Sequence, residues 1–537
     1  MSALARFEKR SGLAIGVAIA LLSVLSAGLA SRALAPAFGE LPRLAALDNA
    51  ERLVREIAGT GFGALSAAKL RALSPDADAP PALVLLFAAW ARVSLGRLGI
   101  LDPLICARLP WLVASALGPL LVYAIVLPSR GRLAAVLAAA LLLFQPRWLH
   151  AAGVATGPAA LSGVWLLAIA LYLRSQVSGR RRLCWAAGAA IAIGAAAALS
   201  LATLWLAVLL LLHHFAAHWG SVRRLLRRGR VPVPAALILA VPLGPLVFFL
   251  CRPELVSENA ITTLRGLFAV LAPSVQETLF HGRVAGAVSA PVLAYAVTAL
   301  IWTLPTTLLV AVALGFGAIV EPALARRFAS GRLRPERDRR ALGALVVLGT
   351  CVSSIAPAVA PAPLLVFPPR LELVLPFLAI AAALGVEVAA RRAAGAPRAW
   401  APAGLIVAML AWQSLREPAT IAAAYAPLFG GAESVSKRRL FALGDGSELG
   451  ALARRLDALA QVSGRRPSAG LPDSPALAVD APDIPEGFWQ ALKRHGRIKA
   501  SVTRSPGTPL RVERGAGRGR AVAVVERDGA ALWSLLE

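Results

Sequence analysis

Apolar and polar positions fall in long blocks along this chain. Mainly apolar runs occupy 12–34, 104–128, 133–149, 159–173, 184–199, 201–218, 232–250, 291–320, 341–360, 371–390 and 399–415. A helix of about 20 apolar residues matches the thickness of a bilayer's hydrocarbon layer, so each run is read as a crossing helix. A further run, 82–98, approaches that length, but Arg92 and Arg97 interrupt its end. Three longer pieces, 35–103, 251–290 and 416–537, separate or follow the runs. In the first, "LDNAERLVREIAGTG" (47–61) repeats Leu47, Ala50, Leu53, Val54, Ile57 and Ala58 at helical spacing, with charges on the other face. That pattern predicts an amphipathic helix along the membrane surface. In the last, "SELGALARRLDALA" (447–460) reads as a helix with Ser447 as its N-cap, and "ALAVD", "RIKASVT" and "AVAVVE" read as short strands.

Charge orients the spans. With the N-terminus inside and 82–98 not crossing, the cytoplasmic segments are the N-terminus, 129–132, 174–183, 219–231, 321–340 and 391–398, which hold 3, 2, 4, 5, 7 and 3 Lys or Arg. The opposite connections 150–158, 200 and 361–369 hold none. Basic loops stay inside, so 82–98 is expected to dip into the outer leaflet, and a crossing there would invert every later loop. The expected fold class is an all-α polytopic membrane protein of about eleven transmembrane helices. It has a large first external loop and a small C-terminal α/β external domain. The domains are 1–415, with external loops 35–103 and 251–290, and 416–537. The basic start followed by a long first run reads as an uncleaved span.

Composition agrees. The chain has 537 residues, 58% hydrophobic, with mean hydropathy +0.69, beyond the range of soluble domains. The net charge of +27 lies in short clusters between apolar runs, not on one basic face, which argues against nucleic acid as partner. Cys106, Cys184, Cys251 and Cys351 are scattered among the apolar runs without a close pair, so neither a disulfide framework nor a zinc site is expected. In "HHFAAHW" (213–219), His214 and His218 share a helix face, but no acid or thiol lies in the run, and interfacial anchoring beside Trp219 is the simpler reading.

Asp48 is the first candidate for chemistry. With Glu51 three residues on it fits a capping box at a helix start, and Glu51–Arg55 and Asp48–Arg52 are four-residue pairs. Arg370 stands at the external mouth of run 371–390, against the charge rule, where cations are functional or paired; the plainer alternative is a pair with Glu372 or a snorkelling anchor. Arg108 is similarly placed on run 104–128. "QETLFHGRV" (276–284) sets His281 and Arg283 in the second external loop, either as ligand contacts or as a polar loop tip. Asp445 in "GDG" reads as a turn residue.

The order of elements carries more than any single motif. A first span is followed by an external acid, an amphipathic helix and a double proline with an apolar dip, "APPALVLLFAAWARVSLG" (79–96). Then come "ARLPWLVASALGPLLVYAI" (107–125) and a span ending "QPRWLH" (145–150). This order resembles the membrane glycosyltransferases that use polyprenyl-phosphate sugars, the group of the protein O-mannosyltransferases and the lipid A aminoarabinose transferases. "FPPRLELVLPFLAIAAALG" (367–385) and "YAPLFGGAESVSKRRLFALGDGSELGALARRLDALA" (425–460) are similar to later segments of that group.

The resemblance implies a hexosyl- or pentosyltransferase of the bacterial inner membrane. It would take sugar from a polyprenyl-phosphate carrier and pass it to a lipid, glycan or protein acceptor at the external face. It implies Asp48 as general base and Arg370, Arg108, His281 and Arg283 as phosphate or acceptor contacts. Two departures stand out. The group's second acid, in the next external loop, is absent from "HAAGVATGPAALSG" (150–163), with Gly157 in its place, and Ala79-Pro80-Pro81 replaces a frequent His-Pro-Pro. These loops therefore lack a carboxylate pair for a metal, and neither metal nor cofactor is expected. His150 is either a polar substitute or an interfacial side chain. The competing readings are a member that binds lipid-linked glycan without transferring it, and a lipid or glycan transporter. The lack of an internal repeat, of mid-span acids and of a broken-helix pair argues against transport.

Overall fold

The computed structural model describes residues 3–34, 41–74, 80–96, 98–154, 157–177, 179–228, 232–255, 277–280, 283–286, 298, 301–320, 336–359 and 372–416. Beyond 416 it describes strands 476–479, 501–504, 511–514, 521–527 and 530–536 and the single positions 449, 456, 484 and 488. The helices in chain order are α1 (Ala3–Ala33), α2 (Leu41–Thr60), α3 (Ala67–Leu73), α4 (Ala82–Ala91), α5 (Pro103–Arg130), α6 (Arg132–Leu143), α7 (Pro146–Gly153) and α8 (Gly157–Ser175). They continue with α9 (Arg182–Leu199), α10 (Leu204–Ala217), α11 (Trp219–Leu226), α12 (Ala235–Cys251), α13 (Thr306–Val320), α14 (Glu336–Val359), α15 (Leu375–Arg398) and α16 (Trp400–Leu415).

Up to residue 416 the described elements are helical apart from one short strand pair, an architecture of the polytopic membrane type. Among the described residues four helices are long and apolar enough to cross a bilayer, and five if the bent pair α6–α7 counts as one span. Every one of the eleven predicted runs contains helix. Small residues let the helices close up. A Cβ on Gly163 of α8 would collide with the carbonyl of Ala114 in α5, and one on Gly315 of α13 would collide with that of Ala381 in α15. Bilayer helices gain attraction through such backbone approach, because lipid tails are as apolar as leucine.

The run 133–149 is not one straight helix. The chain bends by 61° between α6 and α7, because Pro146 has no N–H to continue the ladder and Gln145 caps a new helix by accepting from the Trp148 N–H. This break corrects the expectation of uninterrupted spans, on which part of the case against a transporter rested.

The described part of the first long piece between runs, 41–96, folds onto the bundle. Helix α2 starts at Leu41, so Asp48 lies inside it and the reading of Asp48 as a helix-starting cap is overturned. Leu44, Leu47, Ala50 and Leu53 are buried with Leu85, Ala88 and Ala89 of α4 and Leu104, Ala107 and Trp111 of α5. The apolar face of α2 thus meets protein, where a helix along the membrane surface was expected. The reason is that α4 offers a matching apolar face. Helix α4 passes into a π-helical turn, Arg92–Gly96. The fifteen residues Ala82–Gly96 span about 22 Å at the α-helical rise, short of a hydrocarbon layer of about 30 Å.

In the second long piece, 251–290, β1 (Glu277–Phe280) and β2 (Arg283–Gly286) pair antiparallel. In the tail β3 (Ala476–Val479) pairs parallel with β4 (Ser501–Arg504). The strands β5 (Arg511–Arg514), β6 (Ala521–Arg527) and β7 (Ala530–Leu536) form an antiparallel sheet with β7 in the centre. Strands therefore occur at each predicted position, and the pattern missed β5 and β7. The predicted helix 447–460 and Asp445 lie outside the described residues, apart from positions 449 and 456.

Candidate functional site at one end of the bundle

Contacts collect several helix ends on one side. Arg108, near the start of α5, is fully buried. Its Nη1 donates to Ser31 O at 2.9 Å, Ser31 Oγ at 3.2 Å and Leu34 O at 3.3 Å. The last carbonyls of a helix lack intrahelical donors, and Arg108 supplies one to the end of α1. This guanidinium, expected on the sequence to meet phosphate, is turned into the protein. Arg252, just past α12, donates from Nε to Ala198 O at 2.7 Å, joining the ends of α9 and α12.

Glu254 ties α3 and α4 to the same side. Its Oε1 accepts from the Ala82 N–H at 3.4 Å and lies 3.9 Å from Arg252 Nη1. Its carbonyl accepts from Arg71 Nε at 3.2 Å. Burial raises the Glu254 pKa above the usual carboxylate value, and Arg252 and the Ala82 N–H only partly offset this.

Asp48 belongs to a charged network on this surface. Arg92, at the end of α4, donates from Nη1 to Asp48 Oδ1 at 3.3 Å. Its Nε lies 2.9 Å from Glu51 Oε1, and Arg55 Nη2 lies 3.3 Å from Glu51 Oε2. Asp48 and Glu51 are three residues apart on one helix face, so one guanidinium reaches both. The Arg92 side chain is 12% exposed, that of Glu51 14% and that of Asp48 24%, so the acid with most access to solvent is Asp48. Burial lowers the Arg92 pKa, while Glu51 opposes that shift.

Gly157 opens α8, and a Cβ there would lie 3.7 Å from Arg43 Nη2 of α2. A cation thus stands beside the position where the resemblance implies an acid. Every residue of α7 is buried, including Arg147 and His150. That overturns the interfacial reading of His150. Such a short amphipathic-looking segment buries its polar side because it lies between α1, α5 and α8.

Of the remaining candidates, Arg370 and His281 lie outside the described residues. Arg283 stands on β2 opposite Phe280. Glu372 is buried at the approach to α15. At the other end of the bundle His213 is buried, bonded through Nδ1 to the Tyr172 hydroxyl at 3.0 Å and through Nε2 to Ala341 O at 3.1 Å. It joins helices and does not anchor them at the interface. Among the described residues no three His, Cys, Asp or Glu side chains come together as a metal site.

Sequence reasoning passed over Arg92 as a partner for Asp48, and passed over Arg43, Arg252 and Glu254. Arg92 did leave a signal, a charge interrupting an apolar run. Nothing local linked it to an acid 44 residues earlier.

No family model matches the chain, and no curated protein matches it. Among solved structures it is similar to ArnT from Cupriavidus metallidurans bound to undecaprenyl phosphate, at 17% identity over 97% of both chains with TM-score 0.45. It is similar to the apo state of that protein at 17% identity over 98% of both chains with TM-score 0.46. It is also similar to the archaeal oligosaccharyltransferase AglB from Archaeoglobus fulgidus in complex with an inhibitory peptide and a dolichol-phosphate. There the identity is 12%, over 96% of this chain and 66% of that chain, with TM-score 0.44.

Proposed function

We propose that this chain is an integral membrane glycosyltransferase. It moves a hexosyl or pentosyl group from a polyprenyl-phosphate carrier to a hydroxyl of a lipid, glycan or protein at the external face of a bacterial inner membrane. One observation carries the reading: Asp48 is a partly exposed carboxylate, held by Arg92, on a helix packed over one end of an apolar bundle. The order of elements in the sequence supports it.

In the proposed step Asp48 takes the proton of the acceptor hydroxyl as its oxygen bonds to the anomeric carbon. The bond from that carbon to the phosphate oxygen breaks, and polyprenyl phosphate leaves with the electron pair. Cations stabilise the growing phosphate charge. Arg370, His281 and Arg283 remain the proposed contacts. Arg108 is left to hold α1. The chain is divided at 415, with 416–537 as a separate external α/β domain.

Purified protein in proteoliposomes, given a polyprenyl-phosphate sugar and candidate acceptors, should release polyprenyl phosphate. Cysteines at 48 and 370 should cross-link with a short reagent. Binding of the carrier without any release would favour the second reading, a lipid-linked-glycan-binding protein. Arg43 beside Gly157, in place of an acid, is what favours that alternative.

A further inference from the structure

We infer that Arg92 is a positioning residue for Asp48: it fixes the carboxylate and cancels its charge toward an anionic donor. The inference rests on the proposed transferase reading for its consequence, and on geometry alone for the coupling itself.

The geometry is specific. Arg92 uses different nitrogens for its two acids, Nη1 for Asp48 and Nε for Glu51. Glu51 is also held by Arg55, so it orients the guanidinium, while Asp48 is the more exposed of the two acids. Arg92 begins a π-helical turn, a feature frequent at functional sites because it re-aims side chains. The apolar faces of α2 and α4 interlock around Leu47, Ala50, Leu85 and Ala88, so the distance between the two backbones is set by packing. A phosphate donor carries negative charge, and an uncompensated Asp48 would repel it. With Arg92 partly desolvated, the compensation is stronger than between groups in water.

Two measurements test this. The first needs no activity. In Asp48→Cys protein, the rate of alkylation by neutral iodoacetamide is followed against pH. A nearby cation favours the thiolate. Among the charged groups near position 48 are Arg92 from α4 and, three and four residues on along its own helix, Glu51 and Arg52. Adding Arg92→Gln should therefore move the midpoint upward by about half a pH unit or more, whereas Arg92→Lys should move it less. An unchanged midpoint with Arg92→Gln, at unchanged plateau rate, overturns the coupling whatever the protein's activity.

The second measurement is transfer. Arg92→Gln should raise the donor KM and lower kcat/KM by roughly tenfold or more, and Arg92→Lys should recover part of the loss, since it keeps charge but not the two-acid geometry. A loss that falls only on kcat and is not recovered by lysine would overturn the charge-cancelling role. If the parent shows no transfer while the midpoint does move, the transferase reading fails and the coupling stands.

Discussion

Ser414, at the end of α16, donates its hydroxyl to the carbonyl of Phe144, where α6 breaks, 270 residues earlier in the chain. Chain direction makes this contact informative. It puts the end of the last described helix with the end of α6, and α7 leads from there to α1. Residue 416 therefore leaves the bundle on the side that carries α2 and α4.

The first prediction concerns sidedness. The tail and the first long loop should share a compartment, outside the cytoplasm by the distribution of basic loops. A reporter that works only outside the cytoplasm, fused after Leu471, should be active. An inactive fusion in a stably inserted protein would overturn the eleven-span orientation.

The second concerns the base. Asp48→Asn should lower transfer by roughly two to four orders of magnitude while the protein stays folded, because α2 is held by Leu44, Leu47, Ala50 and Leu53. Turnover at the parent rate would place the base elsewhere. Where the parent binds donor without turnover, Gly157→Asp, set against Arg43, is the substitution to assay for gained activity.

The third concerns Arg108. Arg108→Leu removes the bonds from a buried guanidinium to Ser31 and Leu34 at the end of α1, and a hydrogen bond to a charged group contributes about 1.5–3 kcal/mol. A clear fall in detergent melting temperature is expected. Unchanged stability with weakened donor binding would instead return Arg108 to a ligand role.

The fourth concerns helix approach. Gly163→Val should destabilise by about 1–3 kcal/mol or more, as overpacking does, because the carbonyl of Ala114 in its way is backbone. Gly404→Ala, with open space around it, should be neutral or slightly stabilising. Comparable melting temperatures for the two variants would contradict the close packing of α5 and α8.

The fifth concerns pH. Burial raises the Glu254 pKa in the folded protein, so between the ordinary glutamate pKa of about 4.3 and the raised value the folded state binds more protons than the unfolded. Stability from this group is then full at low pH and lost as pH rises through the folded pKa. The melting temperature of the parent minus that of Glu254→Gln should fall as pH rises above the ordinary glutamate value of about 4.3. A flat or rising difference would contradict the burial effect.

The sequence by itself determined the class of protein. Apolar run length and basic loops are set by the bilayer, a solvent that acts on each segment alone, so helices stand in every predicted run. The amphipathic pattern of 47–61 likewise announced a helix. What covers that helix was decided only in three dimensions, because an apolar stripe cannot distinguish lipid from α4. Its first residue, Leu41, lies six residues before the pattern that was read, and this turned Asp48 from a cap into a mid-helix side chain. The same limit hid the partners of the site. Arg92 with Asp48, Arg252 with Ala198 and Arg43 against Gly157 are meetings between distant segments, and side-chain chemistry fixes what a group can bind while only the packing of helices fixes which group it meets.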